Sequence, residues 1–179
     1  MADDARTAES FESLAMPLFS SLYNLAHWLT QNRDEAEDLV QETCLKALKG
    51  FSSFQPGTNF RAWIYRILRN TFLTSRTGLK VSATVPLDPE ENEAVLPVSA
   101  DTPESLFLAQ ADQQMICQAL AQLPLHSREV ILLGDVEEMS YQEIAETLGI
   151  PMGTVMSRLS RARRAMRELL STKVQGASR

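Results

Sequence analysis

A chain of 179 residues with 44% hydrophobic and 22% charged side chains has the balance of a folded protein, either one ordinary domain or two small ones, and not of a disordered chain. Its 7 glycines and 8 prolines are too few for a collagen-like or linker-like chain. The net charge of −6, taken alone, argues against a nucleic-acid partner.

The longest aliphatic run, Val130 to Leu133, falls far short of the roughly 20 residues that cross a bilayer. The opening Met-Ala-Asp-Asp lacks the basic and apolar regions of a signal peptide, so a cytoplasmic protein without membrane insertion is expected. Cys44 and Cys117 are far apart, and with His27 and His126 they show no metal-site spacing. No disulfide, metal or cofactor is expected, and Cys44 reads as a small buried hydrophobe.

In chain order the pattern is helical almost throughout, and no strand stands out. Phe11 to Thr30 carries Leu14, Leu18, Leu22, Leu25 and Leu29 in helical rhythm, with Pro17 either starting that helix or kinking it. Arg33 to Lys49 places Ala36, Leu39, Val40, Thr43, Cys44, Ala47 and Leu48 on one face, with Asn32 as its cap and Gly50 as its close. The opposite face is acidic (Asp34, Glu35, Glu37, Asp38, Glu42), either simply solvated or a docking surface for a basic partner. A turn at Pro56-Gly57-Thr58 leads to the cap residue Asn59. The helix that follows, to about Ser75, buries Phe60, Trp63, Ile64, Ile67, Leu68 and Phe72.

Periodicity stops near Thr77. Residues 77–104 hold four prolines, and from Ser82 to Glu104 there are six acids and no base, the composition of an extended tether. Periodicity resumes near Ser105 and runs to about Leu170. The fold class expected is therefore all-α, two small helical domains at 10–76 and 105–171 joined by an acidic linker at 77–104.

Charge is concentrated in the second domain. Thr154 to Lys173 holds six bases against the single acid Glu168, a local charge of +5. Ser140 to Glu143 has the form of a capping box opening a helix through Leu148, which Gly149 ends. Thr154 then begins a helix burying Val155, Leu159, Ala162 and Met166. The small Ala145, the turn glycine and the anchoring Val155 are spaced as in a helix-turn-helix. The polar face of the second helix offers Thr154, Ser157, Arg158, Arg161 and Arg164, hydroxyls and arginines suited to base edges and phosphates. A helical hairpin with a solvated basic face is the plainer alternative. In the first domain, Phe51 and Phe54 lie beside Arg61, Tyr65, Arg66, Arg69, Asn70 and Arg76. These are the parts of a single-strand surface, or else core rings beneath solvating arginines.

Five ordered stretches carry a family resemblance: Asp34-Glu-Ala-Glu-Asp-Leu-Val-Gln-Glu42 continuing to Ala47; Phe60-Arg-Ala-Trp63 continuing to Asn70; Leu123-Pro124 with Arg128-Glu129-Val130; Tyr141 to Ala145; and Gly153 to Arg163. Over roughly residues 10–170 the chain resembles a bacterial extracytoplasmic-function RNA polymerase sigma factor. The resemblance implies sigma region 2 in the first domain and region 4, with its helix-turn-helix, in the second. It implies no catalysis by the chain and no cofactor. Asp38, Gln41, Glu42 and Leu45 would dock on the β′ clamp helices of core RNA polymerase, and region 4 on the β flap. Phe54, Gly57, Thr58, Tyr65 and Asn70 would hold the melted minus-10 strand, with Arg61, Arg69 and Arg76 on its backbone. Thr154, Met156, Ser157, Ser160 and Arg161 would read the minus-35 duplex, with Arg158 and Arg164 on phosphates. The linker would thread the RNA exit path, and an anti-sigma factor would hold the protein inactive. Relatives often carry Lys or Arg at the Met156 position, and Cys44 stands where a Phe is common. At Met156 one base or phosphate contact would therefore be either missing or replaced by an apolar one to a thymine methyl. The competing expectation is a homodimeric helix-turn-helix regulator acting without polymerase.

Overall fold

The structure, a computed structural model, describes residues 10–79 and 103–177. Most of the expected linker, 80–102, lies outside the described residues. Packing divides the chain into two compact units, Met1–Asn92 with Gln142–Ile150, and Glu93–Tyr141 with Pro151–Arg179. Among the described residues every regular element is helical.

The N-terminal helices begin with α1, residues 10–15, which a 3-10 turn at Met16–Leu18 separates from α2, Phe19–Thr30. Pro17 stands in the first turn of that break, where its missing N–H costs nothing. The leucine rhythm is thereby split: Leu22, Leu25 and Leu29 are buried, whereas Leu14 is exposed and Leu18 half-buried. Gln31 closes α2 in the left-handed region at φ 59°, its N–H donating to the His27 carbonyl at 2.8 Å.

Helix α3, Arg33–Gly50, is capped as expected: the Asn32 side chain accepts from the Glu35 N–H at 3.0 Å. Ala36, Leu39, Val40, Thr43 and Ala47 are buried, and the Thr43 hydroxyl donates to the Leu39 carbonyl at 2.6 Å, so its burial strands no polar atom. Cys44 is only half-buried and Leu48 is exposed, so the apolar stripe is narrower than its sequence pattern. Burial still pushes the Cys44 thiol pKa up, away from the reactive thiolate. Helix α4, Phe60–Leu79, starts at Asn59, whose side chain accepts from the Ala62 N–H at 3.0 Å. It packs against α2 and α3, burying Phe60, Ile64, Tyr65, Leu68 and Phe72.

The C-terminal helices are α5, Pro103–Gln122; α6, Leu125–Ile131, running into a π-type turn at Leu132–Val136; α7, Tyr141–Leu148; and α8, Met152–Ala177. Both α5 and α6 pack on α8, around Leu120, Val130, Leu132, Val155 and Leu159. Each such fully buried aliphatic side chain contributes about 1.5–3 kcal/mol before entropy is counted. Arg128 reaches back to the end of α5, donating to the Leu120 and Ala121 carbonyls at 2.9 and 2.8 Å. A cation there satisfies carbonyls with no intrahelical donor and opposes the negative end of the helix dipole.

Candidate nucleic-acid interface

Between α3 and α4 the chain forms a short, internally bonded loop. A 3-10 turn at Phe51–Ser53 is followed by Phe54 in extended conformation. The Ser53 hydroxyl donates to the Gly50 carbonyl at 2.6 Å, and the Thr58 N–H and hydroxyl both donate to the Gln55 carbonyl, at 3.2 and 2.7 Å. Pro56 and Gly57 occupy the corners of this second turn, and Gly57 has φ +90°, a conformation that a residue with a Cβ resists. The tip, Gln55 to Thr58, is exposed.

Beneath the tip lies a cluster of five rings. Phe51 stacks on Phe54 at 5.8 Å, and Phe54 meets Phe60 at 5.3 Å and Trp63 at 5.2 Å. Phe11 packs edge-on against Phe51 at 5.4 Å. Phe51 and Phe54 are half-buried, core on one side and accessible on the other. Asn70 and Arg76 are exposed, Arg61 and Arg69 half-buried. The Arg76 guanidinium lies 5.3 Å from the Phe72 ring centroid and 3.8 Å from a Glu35 carboxylate oxygen.

Tyr65, expected against the strand, is fully buried, with the Arg61 guanidinium 5.6 Å from its ring centroid. It follows Ile64 directly and precedes Leu68 by three, so at 100° per residue it falls on the border of the apolar face, and packing takes it inward. Trp63 and Ile67, expected in the core, are half-buried.

On α3, Asp38, Gln41, Glu42 and Leu45 are all exposed, and their three- and four-residue spacing sets them on one face. Leu45, 59% exposed, is a large apolar side chain among acids. Glu42 is bridged to Lys46 at 2.6 Å, one turn on.

The third surface lies along α8, which follows α7 in the chain after a tight turn. Gly149 adopts φ +66°, and the Ile150 N–H donates to the Ala145 carbonyl at 3.1 Å, closing α7 with a Schellman-type cap. The Thr154 and Val155 N–H groups donate to the Pro151 carbonyl at 2.9 and 3.1 Å, which starts α8 at once. Val155, Leu159 and Ala162 are buried, whereas Met166 is half-buried. Outward stand Met156 (51% exposed), Ser157, Ser160, Arg161 and Arg164, with Thr154 and Arg158 half-buried. The Ser157 hydroxyl and the Arg161 guanidinium both donate to carbonyls of α8 itself, at 3.1 and 3.2 Å. Arg164 pairs with Glu168 at 3.0 Å in an exposed contact of little energetic weight.

One arginine of the basic run has another task. Arg163 grips the Asp135 carboxylate through Nε and Nη2, the Nε contacts being 3.2 and 3.1 Å, and this pairing holds its pKa above the ordinary value. Asp135 sits in the turn after α6, so the pair ties that turn to α8. Sequence reasoning missed this tie and the Arg128 cap, because the partners lie many residues apart and nothing local marks them. Among the described residues there is no cluster of His, Cys, Asp and Glu that could hold a metal, and no helix is long and apolar enough to cross a membrane.

Comparison with known proteins assigns both domains. A family model described as Sigma-70 region 2 matches residues 16–80, and one described as Sigma-70, region 4 matches residues 113–166. The ECF RNA polymerase sigma factor SigE of Mycolicibacterium smegmatis is 34% identical over 171 residues, which cover 94% of this chain and 64% of that protein. The chain thus spans about two thirds of that relative's length. The RNA polymerase sigma factor YlaC of Bacillus subtilis is 31% identical over 156 residues, covering 87% of this chain and 88% of that one. Among solved structures, the sigma factor RpoE of Bartonella quintana, crystallised with the anti-sigma factor NepR, matches with TM-score 0.74 and 32% identity, over 91% of this chain and 98% of that one. The chain belongs to the ECF RNA polymerase sigma factor family, with a region 2 domain and a region 4 domain.

Proposed function

We propose that this chain is an alternative sigma subunit that binds core RNA polymerase, addresses it to promoters with minus-35 and minus-10 elements, and opens the DNA there. The observation that carries the reading is the union, on one chain, of a region 2 domain and a region 4 domain, each presenting an exposed face of the right chemistry. The outer face of α3 (Asp38, Gln41, Glu42, Leu45) offers acids around an apolar centre, complementary to a basic helical partner such as the β′ clamp helices. Region 4 takes the β flap. The loop residues Phe54, Gly57 and Thr58 with Asn70 hold the melted minus-10 strand, and Arg61, Arg69 and Arg76 follow its backbone. Buried Tyr65 is left out of that surface. Thr154, Met156, Ser157, Ser160 and Arg161 read the minus-35 duplex, and Arg158 and Arg164 meet phosphates.

The chain performs no bond chemistry in this reading. Core polymerase makes the phosphodiester bonds, and the sigma subunit supplies position and strand separation. Extruding bases costs a few kcal/mol, which the loop's contacts and polymerase binding together offset. Since the Bartonella quintana relative was crystallised with an anti-sigma factor, we also propose an anti-sigma partner here, one that covers the polymerase-binding faces.

Reconstitution with bacterial core polymerase tests the reading. Core binding together with run-off from a specific set of genomic promoters is expected. A tight homodimer that binds duplex operators, with no affinity for core, would replace it with the regulator reading.

A further inference from the structure

We propose that α1, which lies upstream of the residues matched as region 2, positions the strand-reading loop through Phe11. The inference rests on the proposed role of that loop. Phe11 is only 8% exposed although it stands near the start of the described chain. Its ring meets Phe51 edge-on (5.4 Å, 76°) and Phe60 edge-on (6.1 Å, 75°). Phe51 opens the loop and Phe60 opens α4, and the two rings meet at 6.2 Å, so Phe11 packs on both ends of the loop where they join. It is the one ring of the cluster that comes from outside residues 51–63.

Its turns are closed by bonds spanning three residues, and its two ends are joined by the rings of Phe51 and Phe54 against Phe60 and Trp63, a joint that Phe11 backs from outside the loop. Phe11 backs Phe51, which stacks on Phe54 at 5.8 Å with ring planes 12° apart. Displacing Phe11 takes one of the four ring partners from Phe51 and so loosens the accessible face of Phe54. A loop that must be ordered while it captures an extruded base forfeits affinity to that ordering, whereas a loop already held does not. Phe11 is thus a positioning residue. It touches no nucleic acid, and the polymerase-facing residues of α3 take no part in the ring cluster.

The test uses full-length protein reconstituted with core polymerase. Binding is measured to a premelted fork carrying the minus-10 strand that the wild type selects from a randomised pool, and to the same fork with that strand scrambled. Phe11→Ala is expected to cut the selected-to-scrambled ratio about five-fold, the size of losing paired edge-on ring contacts, with core affinity unchanged. Phe11→Leu, which keeps apolar bulk, is expected to lose less, with core affinity again unchanged, and stands in if the alanine variant does not fold. Wild-type ratios in both variants overturn the proposal. So does a loss of core affinity in step with the ratio, which would make Phe11 a general folding residue. A wild-type holoenzyme that shows no preference between the forks would instead strike the functional reading of the loop.

Discussion

Met156 stands in the middle of the exposed face of α8 with half its surface open and no polar atom to offer. Among duplex base edges only the thymine 5-methyl makes a good apolar partner in the major groove. Replacing thymine by deoxyuridine across the minus-35 element is therefore expected to weaken wild-type holoenzyme binding about four-fold per methyl contacted, the value of one buried methyl group. The same replacement should leave Met156→Ala unaffected, and competition binding on the two DNAs reads the difference. Arg164 is a point charge at the same surface, held only by the exposed pair with Glu168. Arg164→Ala should weaken binding evenly across promoter sequences and reduce the slope of log K against log salt by about 1, as expected for one lost phosphate contact. A change in sequence preference instead would make Arg164 a base reader.

Helix α3 carries a side-chain cap, and α2 a half-buried imidazole. Asn32 satisfies the Glu35 N–H from outside the acidic face, so Asn32→Ala should cost about 1 kcal/mol of stability. Core polymerase affinity should stay unchanged, which thermal melts and a core-binding titration together resolve. His27 lies half-buried and stacked on Tyr23, its Nδ1 buried without a hydrogen-bond partner, and burial lowers its pKa from the ordinary 6.5. Protonation is thus harder in the folded chain than in the unfolded one. The stabilisation from neutral His27 is fully present above pH 6.5 and is lost as the pH falls below that value toward the depressed pKa. The melting temperature should fall over that acid interval, and His27→Leu should remove this part of the dependence.

At the scale of the whole molecule, an overall charge of −6 and a local +5 on α8 act in opposition. The free protein should bind promoter duplex weakly, with a dissociation constant on the order of 10⁻⁴–10⁻⁶ M at physiological salt. The holoenzyme should bind the same duplex far more tightly and with sequence preference. Anisotropy titrations of both species over a salt series measure the gap, and equal affinities would remove polymerase from the reading. Much of this organisation is visible in the sequence. The helical periods, the caps at Asn32 and Asn59, and the turn glycines Gly57 and Gly149 are local features, because capping and φ > 0 depend on a few adjacent residues. The break at Pro17 is visible as a choice between a helix start and a kink, and the chain takes a 3-10 turn there. By contrast, the inward turn of Tyr65 in the packing of α4 on α2 and α3, the withdrawal of Arg163 to Asp135 and the contact of Phe11 with Phe51 and Phe60 depend on residues tens of positions apart. A side chain at the border of a helical face is assigned to core or solvent by whichever neighbour arrives from elsewhere. The sequence alone determined the two helical domains and the chemistry of their faces. Only the packed molecule decided which aromatic and which arginine each face can present.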